Sequence, residues 1–499
     1  MFLLGYDIGS SSVKASLMEA ASGKVIASGI SPKTEMTITA ERPGWAEQQP
    51  EVWWKHVRSA TANIRKKAGR RILDVGAIGI SYQMHGLVIV DLNQKVLRPA
   101  IIWCDSRAVD IGEQALSALS PEKCLRRLLN SPGNFTASKL KWVMAHEPEV
   151  FAKVHKFMLP GDYIAMRMTG EIQTTASGLS EGILWDYTAG VVSEMVLDFY
   201  GIPHDLVPRV VETFSVQGEL TRPAAKELGL KPGIKVSYRA GDQPNNALSL
   251  KVLNPGEIAS TGGTSGVVYG VTDQTTFDPQ SRVNTFIHIN HTPERSRYGI
   301  LVCINGTGIL NRWLKNQFWA QSRRNPYREM NALANRVPAG SEGLMILPYG
   351  NGAERTLGNK DLGASVHGLQ LNIHTRSHLT RAVQEGIVFA MNYGVDIMRE
   401  MGLAVDTVRA GHANLFLSPA FAEIFSAVIG ARVELFNTDG SQGAARGAGI
   451  GAGIYKKTKD AFVGLEAVRT VAPDSQLGRK YQEIYQNWKR ILKKELGGR

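Results

Sequence analysis

The sequence predicts an α/β protein built from two related domains that face one cleft. Its 499 residues exceed what one ordinary hydrophobic core holds and suit two domains of roughly 250 residues each. Apolar strand patterns and amphipathic helix patterns occur together along the chain, as in α/β folds. A strand, a turn rich in small and hydroxyl residues, and a second strand occur at 3–19 and again at 257–271. This internal repeat places one such hairpin in each half.

The first half is expected to begin with a strand meander and to continue as helices and further strands. Apolar and alternating runs predict strands at 3–8, 13–19, 24–30, 75–81 and 236–240. Pro50 followed by one apolar face predicts a helix over 51–68, and further helices are predicted within 121–201 and over 219–229. The turn Asn93-Gln94 predicts a hairpin between 87–92 and 96–102.

The second half restarts like the first after the breaker Asn254-Pro255-Gly256. We therefore place a boundary there, between domains of residues 1–253 and 254–499. Strands are predicted at 257–260 and 267–271, and helices at 380–400, 419–430 and 477–496. Gly443, Gly447 and Gly451 recur every four residues, which at helical spacing makes a smooth face for helix packing or for a ligand.

Composition excludes several classes of protein. The net charge is +12, but the basic residues are scattered and lack interleaved aromatic residues, so no nucleic-acid partner is expected. The positive charge alone keeps nucleic-acid binding as an alternative function. Three cysteines without a CxxC pair argue against a disulfide framework. No apolar run is long enough to span a membrane and no signal peptide is evident, so we expect a cytoplasmic protein without a membrane partner.

The first hairpin turn has the chemistry of a phosphate site. Gly9, Ser10 and Ser11 present backbone N–H groups and hydroxyls that suit phosphate oxygens, and Lys14 adds positive charge nearby. Asp7 at the end of the incoming strand suits Mg²⁺, usually through water. The alternative is a plain β-hairpin with an aspartate beside its turn.

The second turn repeats this chemistry. Gly263, Thr264 and Ser265 lie between two apolar strands and suit the outer phosphates of a nucleotide. Here too, an ordinary hairpin is the alternative.

Asp242 follows the apolar strand 236–240 at the point where an element ends. A carboxylate there can accept the proton of a substrate hydroxyl as that hydroxyl attacks a γ-phosphoryl group. The alternative is that Asp242 caps the following helix, which Pro244 near its start also fits. The two roles are compatible.

A third group of polar residues follows strands of the first half. Mixed polar and apolar side chains suit a polyol, because hydroxyls need donors and acceptors while carbon faces need apolar walls. The candidates are Gln83, Met84, His85, Trp103 and Asp105. The alternatives are a structural histidine at His85 and a surface ion pair between Asp105 and Arg107.

Common nucleotide motifs are absent from the sequence. There is no GxxxxGK[ST] and no His-Arg-Asp catalytic loop, which excludes P-loop and protein kinases. The glycines at 447–453 do not follow a strand with dinucleotide-binding spacing, and His288-x-x-His291 lacks a third metal ligand of obvious spacing.

Taken together, these motifs resemble the FGGY carbohydrate kinases, and most of all the members that phosphorylate xylulose. The resemblance runs from the first residues to about 455 in the family's order and spacing. It is carried by Gly5-Tyr6-Asp7-Ile8-Gly9, Gly44-Trp45-Ala46-Glu47-Gln48, Gln83-Met84-His85-Gly86, Trp103-Cys104-Asp105-Ser106-Arg107, Gly241-Asp242, Gly263-Thr264-Ser265-Gly266 and Gly352-Ala353-Glu354-Arg355-Thr356.

The resemblance implies two actin-like, ribonuclease-H-like ATPase domains with a catalytic cleft between them, the first binding sugar and the second nucleotide. Asp242 would accept the proton, and Asp7 would assist Mg²⁺ and phosphoryl transfer, with both carboxylates near the metal. The polyol candidates would line the ketose site, and the second turn would approach the ATP phosphates. Adenosine would be framed by Gly411, His412, Asn414 and the helix start at 443–447.

The expected reaction is transfer of the ATP γ-phosphoryl group to a terminal hydroxyl of a ketopentose, the 5-hydroxyl of D-xylulose. The sequence departs from the family at Gly411-His412-Ala413 and at Gln243-Pro244-Asn245-Asn246, and the second departure touches the sugar side. Ribulose, fuculose or rhamnulose therefore stay open as substrates. A non-catalytic sugar or nucleotide sensor is the alternative to an enzyme. The oligomeric state is open, with a homodimer as one candidate.

Overall fold

The computed structural model describes residues 1–320 and 325–497. In the N-terminal half its elements are β1 (Phe2–Ile8), β2 (Val13–Glu19), β3 (Val25–Ser31), β4 (Glu47–Gln48), α1 (Pro50–Ala68), β5 (Val75–Tyr82), β6 (Val88–Val90), β7 (Ala100–Ile101), α2 (Val109–Leu119), α3 (Pro121–Leu128), α4 (Thr136–His146), α5 (Pro148–Phe151), β8 (Lys156–Met158), α6 (Pro160–Thr169), β9 (Gln173–Thr175), α7 (Ala176–Glu181), β10 (Trp185–Asp186), β11 (Val191–Val192), α8 (Glu194–Tyr200), β12 (Arg209–Val211), α9 (Arg222–Leu228), β13 (Lys235–Gly241) and α10 (Asp242–Ser249).

The C-terminal half continues with a similar alternation of strands and helices. Its elements are β14 (Glu257–Gly262), β15 (Gly266–Thr272), β16 (Asn284–Ile287), β17 (Tyr298–Ile304), α11 (Gly308–Phe318), α12 (Pro326–Ala334), β18 (Met345–Tyr349), β19 (Gly363–His367), α13 (Arg376–Glu400), β20 (Thr407–Gly411), α14 (Pro419–Ile429), β21 (Arg432–Phe436), α15 (Gly440–Gly451), β22 (Ala467–Val471) and α16 (Ser475–Glu495).

The two main sheets share one strand order. In the N-terminal half the order is β13-β5-β1-β2-β3, with β1, β2 and β3 antiparallel and β5 and β13 parallel to β1. In the C-terminal half β21-β20-β14-β15-β17 has the same directions, and β22 and β16 are added at its two edges. The hairpin repeat predicted from the sequence is therefore a repeat of the whole sheet.

Helix α1 forms where the sequence predicts it. Pro50 occupies the first turn, where its missing N–H removes no helical hydrogen bond. Its apolar face buries Trp53, Val57 and Ile64 and packs on β2 and β3, so this helix covers one side of the N-terminal sheet.

The opposite side of that sheet is covered by α15, a helix from the far end of the chain. It packs on β1, β5 and β13 because small residues let the backbones approach closely. A Cβ built on Gly79 would lie 2.0 Å from the Ala444 carbonyl oxygen, and one on Gly447 would meet the Tyr238 ring at 2.5 Å. The glycines at 443, 447 and 451 thus serve helix packing.

The two halves are also joined by hydrogen bonds near the ends of β16. The Asn130 side chain donates to the Thr285 carbonyl at 2.7 Å and accepts from the Thr285 N–H at 3.1 Å. Ser177 donates through its hydroxyl to the Ile287 carbonyl at 2.9 Å, and the Ser180 hydroxyl accepts from the Ile287 N–H at 3.0 Å. These hydrogen bonds tie β16 of the C-terminal half to the N-terminal half.

Most of the remaining predicted elements are confirmed, including the hairpin at Asn93-Gln94. Its turn forms, with the Asp91 N–H donating to the Lys95 carbonyl, and its arms pair antiparallel through the bridges Leu87–Ile101 and Val90–Val96. The strand β6 also pairs with the distant β8, a partner that local sequence pattern does not reveal. Within the described residues, no helix combines the length and apolarity needed to cross a membrane.

Candidate active site

Two aspartates meet at the carboxyl edge of the N-terminal sheet. Asp7 lies near the end of β1, and Asp242 is the first residue of α10, directly after β13. Since β1 and β13 are both parallel to β5, their carboxyl ends reach the same edge. Burial and the nearby Asp7 carboxylate together raise the pKa of Asp242 to about 7. Asp242 can therefore exchange a proton near neutral pH.

Asp7 is held in place and lies close to further charges. The Ser81 hydroxyl donates to Asp7 Oδ1 at 3.0 Å. Burial raises the pKa of Asp7, Lys14 opposes that change, and Asp439 adds to it. Asp439 was missed by the sequence reasoning. It caps α15, accepting from the Gln442 N–H at 3.1 Å, and an aspartate before Gly-Ser-Gln is a capping pattern that could have drawn attention to it.

The first hairpin turn is a tight reversal next to these carboxylates. The Gly9 N–H donates to the Ser12 carbonyl at 3.0 Å. The Ser10 carbonyl accepts from the Gln48 amide at 2.7 Å, which ties the turn to the strand β4. Ser11 and Lys14 are exposed, so their polar groups are available to a ligand. The role of this turn in binding phosphate stays a prediction.

The second turn borders a cavity of about 640 Å³ in the C-terminal half. Three of the predicted nucleotide residues, Gly263, Thr264 and Asn414, are among its lining residues, whereas Gly411 and His412 are not. The His412 N–H instead donates to the Phe436 carbonyl at 2.7 Å. One wall of this cavity comes from α11 and α12 and was not predicted from the sequence; it is formed by Asn311, Arg312, Tyr327, Arg328 and Asn331.

Ser265 lies at the end of the second turn, beside β17. The nearby Cys303 thiol donates to Asn305 Oδ1 at 3.9 Å, and burial raises its pKa to about 12. The thiol is therefore neutral, and the turn hydroxyls rather than Cys303 supply polar groups here.

The predicted polyol residues differ in how free their polar groups are. Met84 is buried and lies against Gly241, where a built Cβ would approach it at 2.6 Å. Gln83 is buried too, and its Oε1 has no protein partner among the described residues. Trp103 is 47% exposed and donates from Nε1 to the Ser10 hydroxyl at 3.4 Å. The indole thereby connects the sugar candidates to the first turn.

His85 is held in a strained backbone conformation with a φ of 62°, and its Nδ1 lies 2.8 Å from the Glu181 carbonyl oxygen. Burial first, and then the Lys139 ammonium, lower the pKa of His85 to about 3. The ring is thus neutral, and it meets Phe135 edge-on with centroids 4.8 Å apart. A neutral imidazole beside an aromatic wall suits a polyol better than an anion.

Asp105 differs from the surface ion pair that the sequence suggested as the alternative. The Arg107 guanidinium donates to both of its oxygens at 2.8–3.0 Å, the Ala46 N–H donates at 2.6 Å, and both side chains are almost fully buried. Arg107 also pairs with Glu47 at 2.7 Å and lies 3.8 Å from the Trp45 ring centroid. The Asp105 carboxylate therefore accepts its hydrogen bonds from protein donors, and these bonds fix the loop that carries Trp103.

A second buried acid, Glu181, lies beneath this site and was not foreseen. Its Oε1 accepts from the Tyr82 hydroxyl at 2.6 Å, and its Oε2 has no protein partner in the described part of the chain. Burial raises the pKa of Glu181 well above its usual value, and Asp242 adds to this shift. With Gln243 Oε1 and Gln83 Oε1, the site contains three buried oxygens with unused hydrogen-bonding capacity, as a hydroxyl-rich ligand requires.

A metal ion would have few protein ligands at this site. No cluster of three or more histidine, cysteine, aspartate or glutamate side chains suitable for a metal occurs within residues 1–320 and 325–497. Mg²⁺ is commonly held by one or two carboxylates together with substrate phosphates and water. Asp7 and Asp242 fit that arrangement, in which the ion arrives with the nucleotide.

Repeated sheets of this order, with paired carboxylates and hydroxyl-rich turns at their cleft, define a two-domain phosphotransferase of the actin-like ATPase class. Models of one protein family match most of the chain. The N-terminal domain of the FGGY family of carbohydrate kinases matches residues 2–249, and the C-terminal domain of that family matches residues 258–454. The chain belongs to the FGGY family of carbohydrate kinases, and ATP is its phosphoryl donor.

Full-length relatives and solved structures support this assignment. The chain is 30% identical to the xylulose kinase of Bacillus subtilis, over 98% of this chain and 96% of that protein, and 30% identical to that of Escherichia coli, over 99% of both. The xylulose kinase structure from Rhodospirillum rubrum has a TM-score of 0.87 at 27% identity, covering 98% of both chains. A gluconate kinase from Lactobacillus acidophilus has a TM-score of 0.88 at 21% identity, covering 99% of this chain and 98% of that one, which speaks for the fold alone.

The Asp242 environment leads to a prediction about pH. Below a pKa of about 7 the carboxyl is protonated and cannot accept a proton, so kcat/KM for the sugar should fall as pH drops through 7. Asp7→Asn removes a like charge and should move this limb to lower pH. Steady-state rates between pH 5.5 and 9 test both statements, and a profile with no limb in that range would contradict them.

Proposed function

We propose that this protein transfers the γ-phosphoryl group of ATP to the 5-hydroxyl of D-xylulose, giving D-xylulose 5-phosphate in pentose catabolism. The observation that carries the proposal is Asp242, a carboxylate with a pKa of about 7 that lies near Asp7 and directly follows Gly241, which packs against Met84. The choice of sugar rests on full-length relatives that are named xylulose kinases.

In the proposed reaction Asp242 accepts the proton of the attacking hydroxyl. The neutral His85 ring and the free oxygens of Gln83 and Gln243 bind and orient the sugar hydroxyls, with Met84 against its carbon face. The orientation matters because phosphoryl transfer depends mainly on positioning and on stabilising charge.

The nucleotide is proposed to lie in the cavity beside Gly263 and Thr264, with its phosphates directed toward the two turns. Mg²⁺ held by the phosphates, Asp7 and Asp242 would neutralise their charge. Closure of the two halves would exclude water and limit ATP hydrolysis without sugar. The need for ATP and the three free thiols Cys104, Cys124 and Cys303 favour the reducing cytoplasm as the place of this reaction.

A panel of substrates tests the proposal. With Mg²⁺ and ATP, we expect D-xylulose to give a higher kcat/KM than ribulose, fuculose, rhamnulose, gluconate or glycerol. Clear preference for another member of the panel would reject D-xylulose while keeping the enzyme class. Absence of transfer to every member, with sugar still bound, would favour a non-catalytic sensor. Sedimentation or light scattering of the same preparation would show whether the protein is a monomer or a homodimer.

His85→Asn tests the sugar site directly. Asparagine tolerates the left-handed backbone at this position, so the loop should keep its shape while the aromatic contact with Phe135 is lost. We expect the KM for the ketose to rise by about tenfold, equivalent to about 1.4 kcal/mol, with little change in the KM for ATP. His146→Asn, at a ring that stacks on Trp142, is the matched control and should leave both constants near the wild type.

A further inference from the structure

Two adjacent residues, Glu354 and Arg355, have no part in the proposed reaction, and their side chains contact the loop before α11 and the N-terminal half, respectively. Glu354 is fully buried, and its Oε1 accepts from the Asn305 N–H at 2.8 Å. The Asn305 side chain returns this contact by donating to the Ala353 carbonyl at 2.9 Å. Glu354 thereby fixes the loop that precedes α11.

That loop in turn supports the second turn. The Thr307 hydroxyl donates to the Thr264 carbonyl at 3.3 Å, and the Ile309 N–H donates to the same carbonyl at 3.1 Å. Gly308 is so close to the turn that a built Cβ would lie 1.9 Å from the Gly263 carbonyl oxygen. A displacement of the Glu354 carboxylate would therefore be passed to Gly263 and Thr264.

Arg355 points the other way, toward the N-terminal half. Its Nε donates to the Ser281 carbonyl at 2.9 Å, and its Nη2 donates at 3.1 Å to the Ser281 hydroxyl and, across the cleft, to the Ser131 hydroxyl. The guanidinium also lies 5.7 Å from the centroid of the Phe135 ring, which is the ring that meets His85 edge-on. Arg355 thus supports the aromatic wall beside the sugar site from the opposite half.

We infer that Glu354 and Arg355 are positioning residues that couple the two binding sites, so that sugar binding and ATP binding strengthen each other. The inference rests on the proposed function, because it takes D-xylulose as the sugar. Binding of sugar against His85 and Phe135 orders the Arg355 contact with Ser131. Because Glu354 is the neighbouring residue, that order extends to the loop before α11 and to the second turn.

Coupling between two ligands is reciprocal, so it can be measured from either side. Calorimetric titration of the full-length protein with a non-hydrolysable ATP analogue and Mg²⁺, with and without saturating D-xylulose, gives the coupling as a ratio of two Kd values. We expect the analogue to bind at least about fivefold tighter in the presence of the sugar, the lower end of typical allosteric coupling.

Two variants should reduce this ratio toward one. Arg355→Lys keeps the charge but loses the planar fork and its contact with the ring. Ser131→Ala removes just the acceptor across the cleft. Ser281→Ala is the matched control, because its hydroxyl accepts from the same Nη2 at the same distance within one half, and the Ser281 carbonyl remains as a partner. The Kd for each ligand alone should change little in Ser131→Ala.

The outcomes separate the inference from the proposed function. A wild-type ratio of one, an unchanged ratio in Ser131→Ala, or an equal loss in Ser281→Ala would each overturn the inference. If Arg355→Lys fails to fold, Ser131→Ala decides alone. If the analogue binds but D-xylulose does not, the proposed substrate is wrong, and the same ratio is measured with the sugar that the substrate panel identifies.

Discussion

Asp242→Asn should abolish most phosphoryl transfer while leaving the fold and ketose binding in place. The amide has nearly the same shape as the carboxyl group, but it cannot take a proton from a hydroxyl. General base catalysis contributes about 10²–10⁴-fold, so kcat should fall by about that factor. The KM for the ketose should change far less, because the hydroxyl-binding groups stay where they are.

The measurement is a coupled assay of ADP release together with the melting temperature of the variant. Asp198→Asn, an exposed residue of α8 that pairs with His204, is the control and should retain full activity. An Asp242→Asn enzyme with kcat close to the wild type would show that another group takes the proton, and Glu181 would be the next candidate because it lies beside Gly241.

Gly79→Ala should be strongly destabilising for so small a substitution in the N-terminal sheet. The added Cβ would lie 2.0 Å from the Ala444 carbonyl oxygen, so α15 must move away from β5. Overpacking of this kind costs about 1–3 kcal/mol, and a contact with rigid backbone belongs at or above the upper end. Activity should fall as well, because Asp439 caps the start of α15 and its charge acts on Asp7.

Chemical denaturation of Gly79→Ala and Gly76→Ala, two variants within β5, tests whether the close contact with α15 causes the loss of stability. A Cβ on Gly76 would meet the end of the flexible Met1 side chain at 3.0 Å. That substitution should leave the free energy of unfolding unchanged or raise it by up to about 1 kcal/mol, because alanine restricts the unfolded chain. Equal losses for the two variants would contradict the proposed packing of α15.

Short-range sequence patterns were sufficient to predict much of this fold. The hairpins around Gly9 and Gly263, the helix α1 and the strand leading to Asp242 all follow from turn chemistry and periodicity over short windows. The motif set also carried the family assignment, since its order and spacing extend over most of the chain.

What the sequence could not provide depends on residues that are far apart in the chain. The pairing of β6 with β8, the charge repulsion between Asp439 and Asp7 and the burial of the Asp105–Arg107 pair are all set by tertiary packing. The boundary at 253/254 stays a prediction. The roles of the site residues also stay predictions, although Gly263, Thr264 and Asn414 border one cavity.

The position of α15 has a consequence for how the protein is made. Residues 1–241 complete all five strands of the N-terminal sheet, but the helix that covers one of its faces begins only at Gly440. At ribosomal speeds of about 5–20 residues per second, roughly 10–40 s separate the two events. During that interval the glycine-lined face of the sheet has no cover, so the nascent chain is most exposed to aggregation and to chaperones before α15 leaves the ribosome.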